Sequence, residues 1–187
     1  MTRAACTTPV STQDLLAYWL HEIEGGQEDR LDEHLFACAE CSERLRTIAS
    51  LGAAIRNELL RGDFGFVLPA AFIRRLKDSG LHVREYNLEP GGSVSCTVTP
   101  EDDLVVAHMH APLHGVRRLD MLMEDSVAGS VRVTDVAFDS AAGGVTMVPS
   151  VAFLRTLRNE RQRVRLVAVD GVEERVIADY TFNHYPS

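Results

Sequence analysis

Long apolar runs are missing from this sequence of 187 residues. The longest stretches, such as LVVA at 104–107, are far shorter than the ~20 apolar residues that cross a bilayer. The N-terminal stretch MTRAACTTPVSTQD contains no apolar segment of the kind that a secretory signal needs. We therefore expect a cytoplasmic protein without a membrane segment, whose four cysteines are thiols or metal ligands rather than disulfides.

A surplus of basic residues is also missing. The net charge is −8, and acidic residues outnumber basic ones both in residues 1–61 and in residues 81–187. Neutralising DNA or RNA phosphates needs clustered lysine and arginine side chains, so direct nucleic-acid binding is not expected. The acidic balance favours a protein partner that carries a basic surface.

Signatures of catalysis are missing as well. The sequence has no nucleophile elbow, phosphate-binding loop or paired-carboxylate motif, and no internal repeat. Hydrophobic residues make up 45% of the chain, which is enough to build a core. These observations predict a folded protein that is not an enzyme.

The first third of the chain has the apolar spacing of helices, with apolar residues three and four positions apart. The expected helices span about residues 12–24, 27–36 and 41–61. Ser11 or Thr12 is a suitable N-cap for the first helix, and the pair Gly25 and Gly26 is expected to end it. Gly62 is expected to end the third helix.

Residues 62–80 are expected to form a linker and a short helix, with Pro69 in the first turn of that helix and Gly80 at its end. Phe64 and residues 66–68 are unusually apolar for a linker. Two explanations stay open, because these residues either pack under one of the two domains or cover part of a partner's surface.

From Leu81 onward, apolar and polar residues alternate as they do in strands. The alternating sets are 94/96/98, 104/106, 119/121/123, 131/133, 164/166/168 and 176/178/180/182. Asp170 and Gly171 are typical of a hairpin turn, and one short helix is expected near residues 150–158. The whole pattern predicts an α+β protein. Its expected parts are a helical domain (1–61), a linker with a short helix (62–80), and an antiparallel β-sandwich or small barrel (81–187).

A metal-binding pattern lies in the helical domain. His34, Cys38 and Cys41 have the spacing His-x3-Cys-x2-Cys, in which a tight turn brings two thiolates to one ion and the histidine lies one helical turn back. A structural zinc has four ligands, and Cys6 and His21 are the candidates for the fourth. A first helix of ~20 Å and an antiparallel second helix of ~15 Å return His34 to the end where Cys6 lies. The predicted Zn²⁺ ligands are Cys6, His34, Cys38 and Cys41.

The stretch from Cys6 through LLAYWLHEIEGGQEDRLDEHLFACAECSERL resembles the zinc-binding anti-sigma domain of bacterial regulators of extracytoplasmic-function sigma factors. The spacing of His34, Cys38 and Cys41 matches the family pattern in full, and YWLHEIEGG is a looser version of its helix end. In the family, the ligand that precedes the first helix is a histidine or a cysteine. The resemblance covers about residues 6–60 and assigns that ligand to Cys6.

The resemblance implies a three-helix zinc bundle and a fourth helix, which together bind a sigma factor and block its access to RNA polymerase and promoter DNA. Residues 69–79 occupy the chain position of the fourth helix. The acidic charge agrees with this role, because the promoter-reading region of a sigma factor is basic. In some members, oxidation of the zinc thiolates releases the metal and the sigma factor, so redox sensing stays open.

The β-domain offers a second candidate site at His108 and His110, which point to one face of the predicted strand. This pair resembles the start of the cupin metal motif, but the rest of that motif is missing. Ordinary strand and turn histidines, including His114, are the simpler interpretation, and Cys96 is expected to be a buried, unreactive thiol. The alternative function is a metalloenzyme or small-molecule-binding β-domain that uses His108 and His110, with the zinc bundle only structural.

Overall fold

The computed structural model describes residues 6–62, 64–125, 129–138 and 143–185. The chain divides into two compact units, Met1–Asn57 and Glu58–Ser187, so the third helix runs across the division. The helices are α1 (Thr12–Trp19), α2 (Gly25–Ala37), α3 (Ala39–Arg61), α4 (Ala70–Asp78) and α5 (Val151–Leu154). The strands are β1 (Phe66–Val67), β2 (Val83–Leu88), β3 (Ser93–Cys96), β4 (Leu104–His110), β5 (Arg118–Asp125), β6 (Gly129–Val133), β7 (Gly144–Val148), β8 (Glu160–Asp170) and β9 (Glu173–His184). The α+β class, with helices first and sheets after them, is confirmed.

The first helix is shorter than its sequence predicts. Ser11 caps it as expected, because its hydroxyl oxygen accepts a hydrogen bond of 3.0 Å from the backbone N–H of Asp14. The helix ends at Trp19, since the backbone N–H groups of His21 and Glu22 close a Schellman motif on the carbonyls of Tyr18 and Ala17. His21 has the left-handed conformation (φ 58°) that glycine usually supplies there.

The glycine pair therefore has the opposite role to the predicted one. Gly25 and Gly26 open α2 behind the N-cap residue Glu24, instead of closing α1. The misplaced boundary has a physical reason: glycine is the usual signal of a helix end, but a histidine adopts the left-handed conformation here. The prediction of a helix over 12–24 is wrong in its C-terminal part.

Side-chain contacts join the three helical segments of the first unit. Leu15 of α1 and Cys41 of α3 are fully buried, and Leu31 of α2 is nearly so. The hydroxyl of Tyr18 on α1 donates a hydrogen bond of 2.6 Å to the carboxylate of Asp32 on α2. Each of the three helices thus contributes one of these buried residues to the unit.

Trp19 also lies against Gly52 of α3 so closely that no larger residue fits there. A Cβ atom added at Gly52 would lie 2.2 Å from Cη2 of the indole ring. We expect Gly52→Ala to lower the free energy of unfolding of the helical unit by about 1–3 kcal/mol, the usual cost of overpacking. Denaturation followed by the fluorescence of Trp19, the one tryptophan of the chain, measures this value.

Gly26→Ala is the matched control for this prediction. A Cβ atom at Gly26 meets nothing within 4 Å. Because alanine is a better helix former than glycine, this substitution is expected to leave the unfolding midpoint unchanged or raise it slightly. Equal midpoints for Gly52→Ala and the unsubstituted protein would contradict the close packing of Trp19 on α3.

The second unit begins with the last turn of α3, which ends before Gly62 (φ 70°) as predicted. Two of the apolar residues of the expected linker, Phe66 and Val67, form β1 and pair with β7. Pro69 is the N-cap residue of α4, immediately before the first helical turn in which it was expected. The short helix α5 is confirmed as well. These segments belong to the sheet-containing unit rather than to a free linker.

The strands form two open sheets, with the orders β1-β7-β4-β2 and β3-β9-β8-β5-β6. The β8–β9 hairpin turns at Gly171 (φ 63°), as predicted. The prediction of an antiparallel domain is wrong in two places, because β2 pairs with β4, and β3 with β9, in parallel. The chain passes from β2 to β3 in the other sheet and returns to β4 beside β2. Alternation of apolar residues marks a strand but contains no signal of its direction.

One buried core draws side chains from both sheets. Its members include Leu88, Ala107, Met109, Val145 and Met147 of the first sheet and Leu119, Met121, Val164, Leu166, Ala178, Tyr180 and Phe182 of the second. The hydroxyl of Tyr180 donates a hydrogen bond to the backbone carbonyl of His110 and so satisfies its one polar atom. Within the described part of the chain, no helix is long and apolar enough to cross a membrane.

Candidate metal centre

The four predicted ligands converge in the helical unit. One donor atom from each of Cys6, His34, Cys38 and Cys41 lies within 4.8 Å of the other three donor atoms. Cys6 precedes α1, His34 lies in the last turn of α2, Cys38 follows α2 directly, and Cys41 lies in the first turn of α3. His21, the other candidate for the fourth ligand, is not part of this group.

The break between α2 and α3 directs two of these side chains. Cys38 has an extended backbone (φ −113°, ψ 101°), yet its N–H still donates to the carbonyl of His34 at 2.8 Å. The hydroxyl of Ser42 shares its proton between the carbonyl of Leu35 at 2.6 Å and that of Cys38 at 3.0 Å, and the shorter contact satisfies one free carbonyl at the end of α2. The chain therefore changes direction at one residue, Cys38. Cys41 joins the group of ligands from the next helix, α3.

Two contacts that the sequence did not reveal hold the N-terminal segment in place. The backbone N–H of Cys6 donates to the Glu40 carboxylate at 3.0 Å. The guanidinium of Arg44 donates to the carbonyl of Val10 at 2.6 Å and to the hydroxyl of Thr12 at 2.9 Å. Both anchors lie on the first turns of α3, the helix that also supplies Cys41. Neither Glu40 nor Arg44 is part of the His-x3-Cys-x2-Cys motif, so no sequence signal identifies these two contacts.

The thiols of the group have different proton affinities. The pKa of Cys38 is lowered, chiefly because the backbone N–H of Cys41 donates a hydrogen bond to its sulfur. The pKa of Cys6 is raised by desolvation and by its hydrogen bond with Cys38. Cys38 therefore ionises to a thiolate more readily than Cys6. Cys6 must lose its proton when a metal binds.

The donor set fits zinc in number, chemistry and spacing. Three sulfurs and one imidazole nitrogen form a closed four-ligand set of the kind found in structural zinc sites. With Zn–S of ~2.3 Å and Zn–N of ~2.0 Å, the donors of a tetrahedral zinc are ~3.5–3.8 Å apart. The Cys6 sulfur lies 3.7 Å from Nε2 of His34. These four residues can hold a metal ion, and their geometry is compatible with zinc.

His108 of β4 has other partners. Nε2 of His108 lies 3.1 Å from the Glu85 carboxylate, and its Nδ1 lies 3.2 Å from the hydroxyl of Thr146. Among the residues that the structure describes, the group around Cys6 is the one set of three or more histidine, cysteine or acidic residues whose donor atoms converge. His108 and His110 are thus strand residues on one face, as predicted, without a third ligand of these types in the described residues.

Cys96 is buried, as predicted, but it has a neighbour that the sequence did not reveal. Its sulfur lies 3.8 Å from Nδ1 of His184, a residue near the end of the chain that is 5% exposed. Burial raises the pKa of the Cys96 thiol. The two residues are 88 positions apart in the chain, so only the pairing of β3 with β9 brings them together.

No family model matches the chain, and neither does any curated protein. Among solved structures, the N-terminal domain of phage TP901-1 ORF48 is similar over 56% of this chain and 99% of that domain, with a TM-score of 0.36 and 11% sequence identity. A similarity at this level supports no inference about fold or function.

Proposed function

We propose that this chain is a cytoplasmic, zinc-dependent regulator that binds and inhibits an extracytoplasmic-function sigma factor. The observation that carries the proposal is the convergence of Cys6, His34, Cys38 and Cys41. Their spacing is that of the zinc-binding anti-sigma domain, which the helical unit resembles in sequence. In this proposal Zn²⁺ is a structural ion, and the helices supply the binding surface.

The position of the metal explains how a small helical unit stays folded. The ion would join the segment before α1 to the junction of α2 and α3, which are 28 or more residues apart in the chain. A unit of fewer than 60 residues has a small core and marginal stability, so such a link contributes a large share of that stability. Binding of the metal and folding of the unit are then one equilibrium.

One exposed stripe of α2 is suited to a basic protein partner. Asp29, Glu33 and Phe36 are spaced by four and three residues, so they lie along one side of the helix. The Phe36 side chain is 93% exposed, although folding normally buries an aromatic ring of this kind. An apolar ring beside carboxylates matches a partner pocket that is rimmed by lysine and arginine.

The charge of the whole helical unit supports the same class of partner. Residues 1–57 contain nine acidic side chains and five arginines. A sigma factor's DNA-reading surface is basic, and an acidic surface competes with DNA for it. The sheet-containing unit would then sense a signal or stabilise an assembly.

The test is co-expression of the chain with the sigma factor encoded beside it, followed by purification in reducing, zinc-containing buffer. We expect a complex that contains zinc and a sigma factor that no longer transcribes in vitro. Cys38→Ser is expected to abolish the complex, because it removes one ligand. His108→Ala, which changes a histidine outside the metal group, is the matched control and is expected to leave the complex intact.

Two results would argue against the proposal. One is a zinc-loaded, reduced chain that binds no sigma factor. The other is loss of the complex with His108→Ala and not with Cys38→Ser, since binding would then depend on the β4 face.

A further inference from the structure

A small cavity lies between the two sheets of the second unit. Three of the side chains in its wall can bind a metal ion through sulfur or nitrogen. Cys96 and His184 are side-by-side partners on the parallel strands β3 and β9, and Met147 comes from β7 of the other sheet. All three are more than nine-tenths buried. The cavity has a volume of about 30 Å³, and Val105, Leu154 and Phe182 are among its other lining residues. One small ion fits in this space, since one water needs ~10–15 Å³.

The distance between two of the donors fits an ion held between them. The Cys96 sulfur lies 3.8 Å from Nδ1 of His184. With metal–sulfur and metal–nitrogen bonds of ~2.3 Å and ~2.0 Å, this separation gives an angle of about 120° at the metal. An angle of this size is typical of trigonal, three-coordinate geometry. The third coordination position remains for another donor on the cavity wall. Met147 lines the same cavity and carries a thioether, a donor type that suits this position.

We propose that Cys96, His184 and Met147 form a binding site for a soft monovalent metal ion, Cu⁺, inside the sheet-containing unit. Thiolate and thioether ligands select Cu⁺ over harder ions. The charge balance leads to the same choice. Cu⁺ with one thiolate is neutral, whereas Zn²⁺ with one thiolate keeps a positive charge, and no carboxylate of the described residues converges on Cys96 and His184 to balance it. The site differs in place and ligands from the zinc group of the helical unit and does not depend on the proposed function.

The protonation states of the residues agree with this assignment. Burial lowers the pKa of His184, so the imidazole is neutral at physiological pH and has a free lone pair. The imidazole also hydrogen-bonds with the backbone of Leu154, and a contact of this kind orients metal-binding histidines. The Cys96 thiol gives up one proton when Cu⁺ binds, and neither copper nor sulfur changes oxidation state. That proton passes to solvent, and the Glu160 carboxylate, which lines the same cavity, is the base that can carry it.

The experiment removes the competing thiols and then measures Cu⁺ directly. The full chain with Cys6, Cys38 and Cys41 all changed to serine retains Cys96 as its one thiol. We expect it to hold one equivalent of Cu⁺ in competition with bathocuproine disulfonate under reducing, anaerobic conditions. Adding Cys96→Ala is expected to abolish that binding. Adding Met147→Leu, which conserves volume, is expected to weaken it about tenfold or more.

Met121→Leu is the matched control, because Met121 is buried in the same core but does not line the cavity. It is expected to leave Cu⁺ affinity unchanged. Far-UV circular dichroism first establishes that the sheets are retained. If the triple serine protein lacks them, the comparison uses the zinc-loaded chain with all four cysteines, in which Cys96→Ala should lower the Cu⁺ count by one.

Three results would overturn the proposal. The first is that no Cu⁺ is retained against the competitor. The second is that Cys96→Ala binds as much Cu⁺ as its parent. The third is that the site prefers Zn²⁺ to Cu⁺, because a hard-ion site with one thiolate contradicts the charge argument.

Discussion

Cys38→Ser is expected to release the metal from the helical unit and to unfold that unit, while the sheet-containing unit stays folded. Cys38 is only half-buried, so the substitution removes a ligand without opening a large cavity. Structural zinc contributes about 10–16 kcal/mol of apparent binding energy in small domains. A small core rarely supplies more than roughly 3–5 kcal/mol, so the ion would provide most of the stability of the unit. Of the effects that we predict, this is the largest.

The single tryptophan makes this result easy to measure. Trp19 lies in the helical unit, packed on Gly52, so a red shift of its emission reports unfolding of that unit alone. Removal of zinc by a chelator under reducing conditions is expected to give the same shift, and added zinc should reverse it. His108→Ala is the control and should retain both zinc and the native emission. Unchanged zinc content and unchanged emission in Cys38→Ser would exclude the metal-linked fold.

Phe36→Ala is expected to weaken binding of the sigma factor about 30-fold without changing zinc content. The ring is almost fully exposed, so truncating it should alter folding stability by no more than about 0.5 kcal/mol. An aromatic anchor at the centre of an interface contributes about 2 kcal/mol or more, which corresponds to that change in Kd. Calorimetric titration of the purified sigma factor into each variant measures the difference.

Val172→Ala is the matched control for Phe36→Ala. Val172 lies at the tip of the β8–β9 hairpin and is 99% exposed, so it is an equally accessible apolar residue on the other unit. It is expected to bind the sigma factor with unchanged affinity. If both variants bind as tightly as the parent chain, the stripe on α2 is not the docking surface, even if the complex itself exists.

The metal group is the part of the structure that the sequence predicts best. Three of its residues lie within eight positions, where the reach of a side chain is fixed by a helix end and a tight turn. The fourth residue, Cys6, is predicted from the lengths of the first two helices, and that argument overestimates the length of α1. The structure nevertheless brings the Cys6 donor atom to the other three, because Glu40 and Arg44 tie the N-terminal segment to the start of α3.

Helix ends and strand directions were predicted less well, for different reasons. His21 closes α1 in a conformation that favours glycine. The glycine signal at Gly25 therefore predicts the wrong C-terminal end for α1. The predicted alternating sets do not include β1, β2 or β7, and the two parallel pairs depend on the path of the chain between sheets. Local patterns report which face of a segment is buried, and they report nothing about the neighbour on that face.

By itself, the sequence determined the order of helices before sheets, most of the strands, the β8–β9 turn and the donor set around His34, because each follows from residues that are close in the chain. The tertiary structure alone decided the parallel pairings, the anchoring of Cys6, and the meeting of Cys96 with His184 beside Met147. Contacts between residues tens of positions apart depend on how whole elements pack, and packing energy is shared among many side chains. No short stretch of sequence records it.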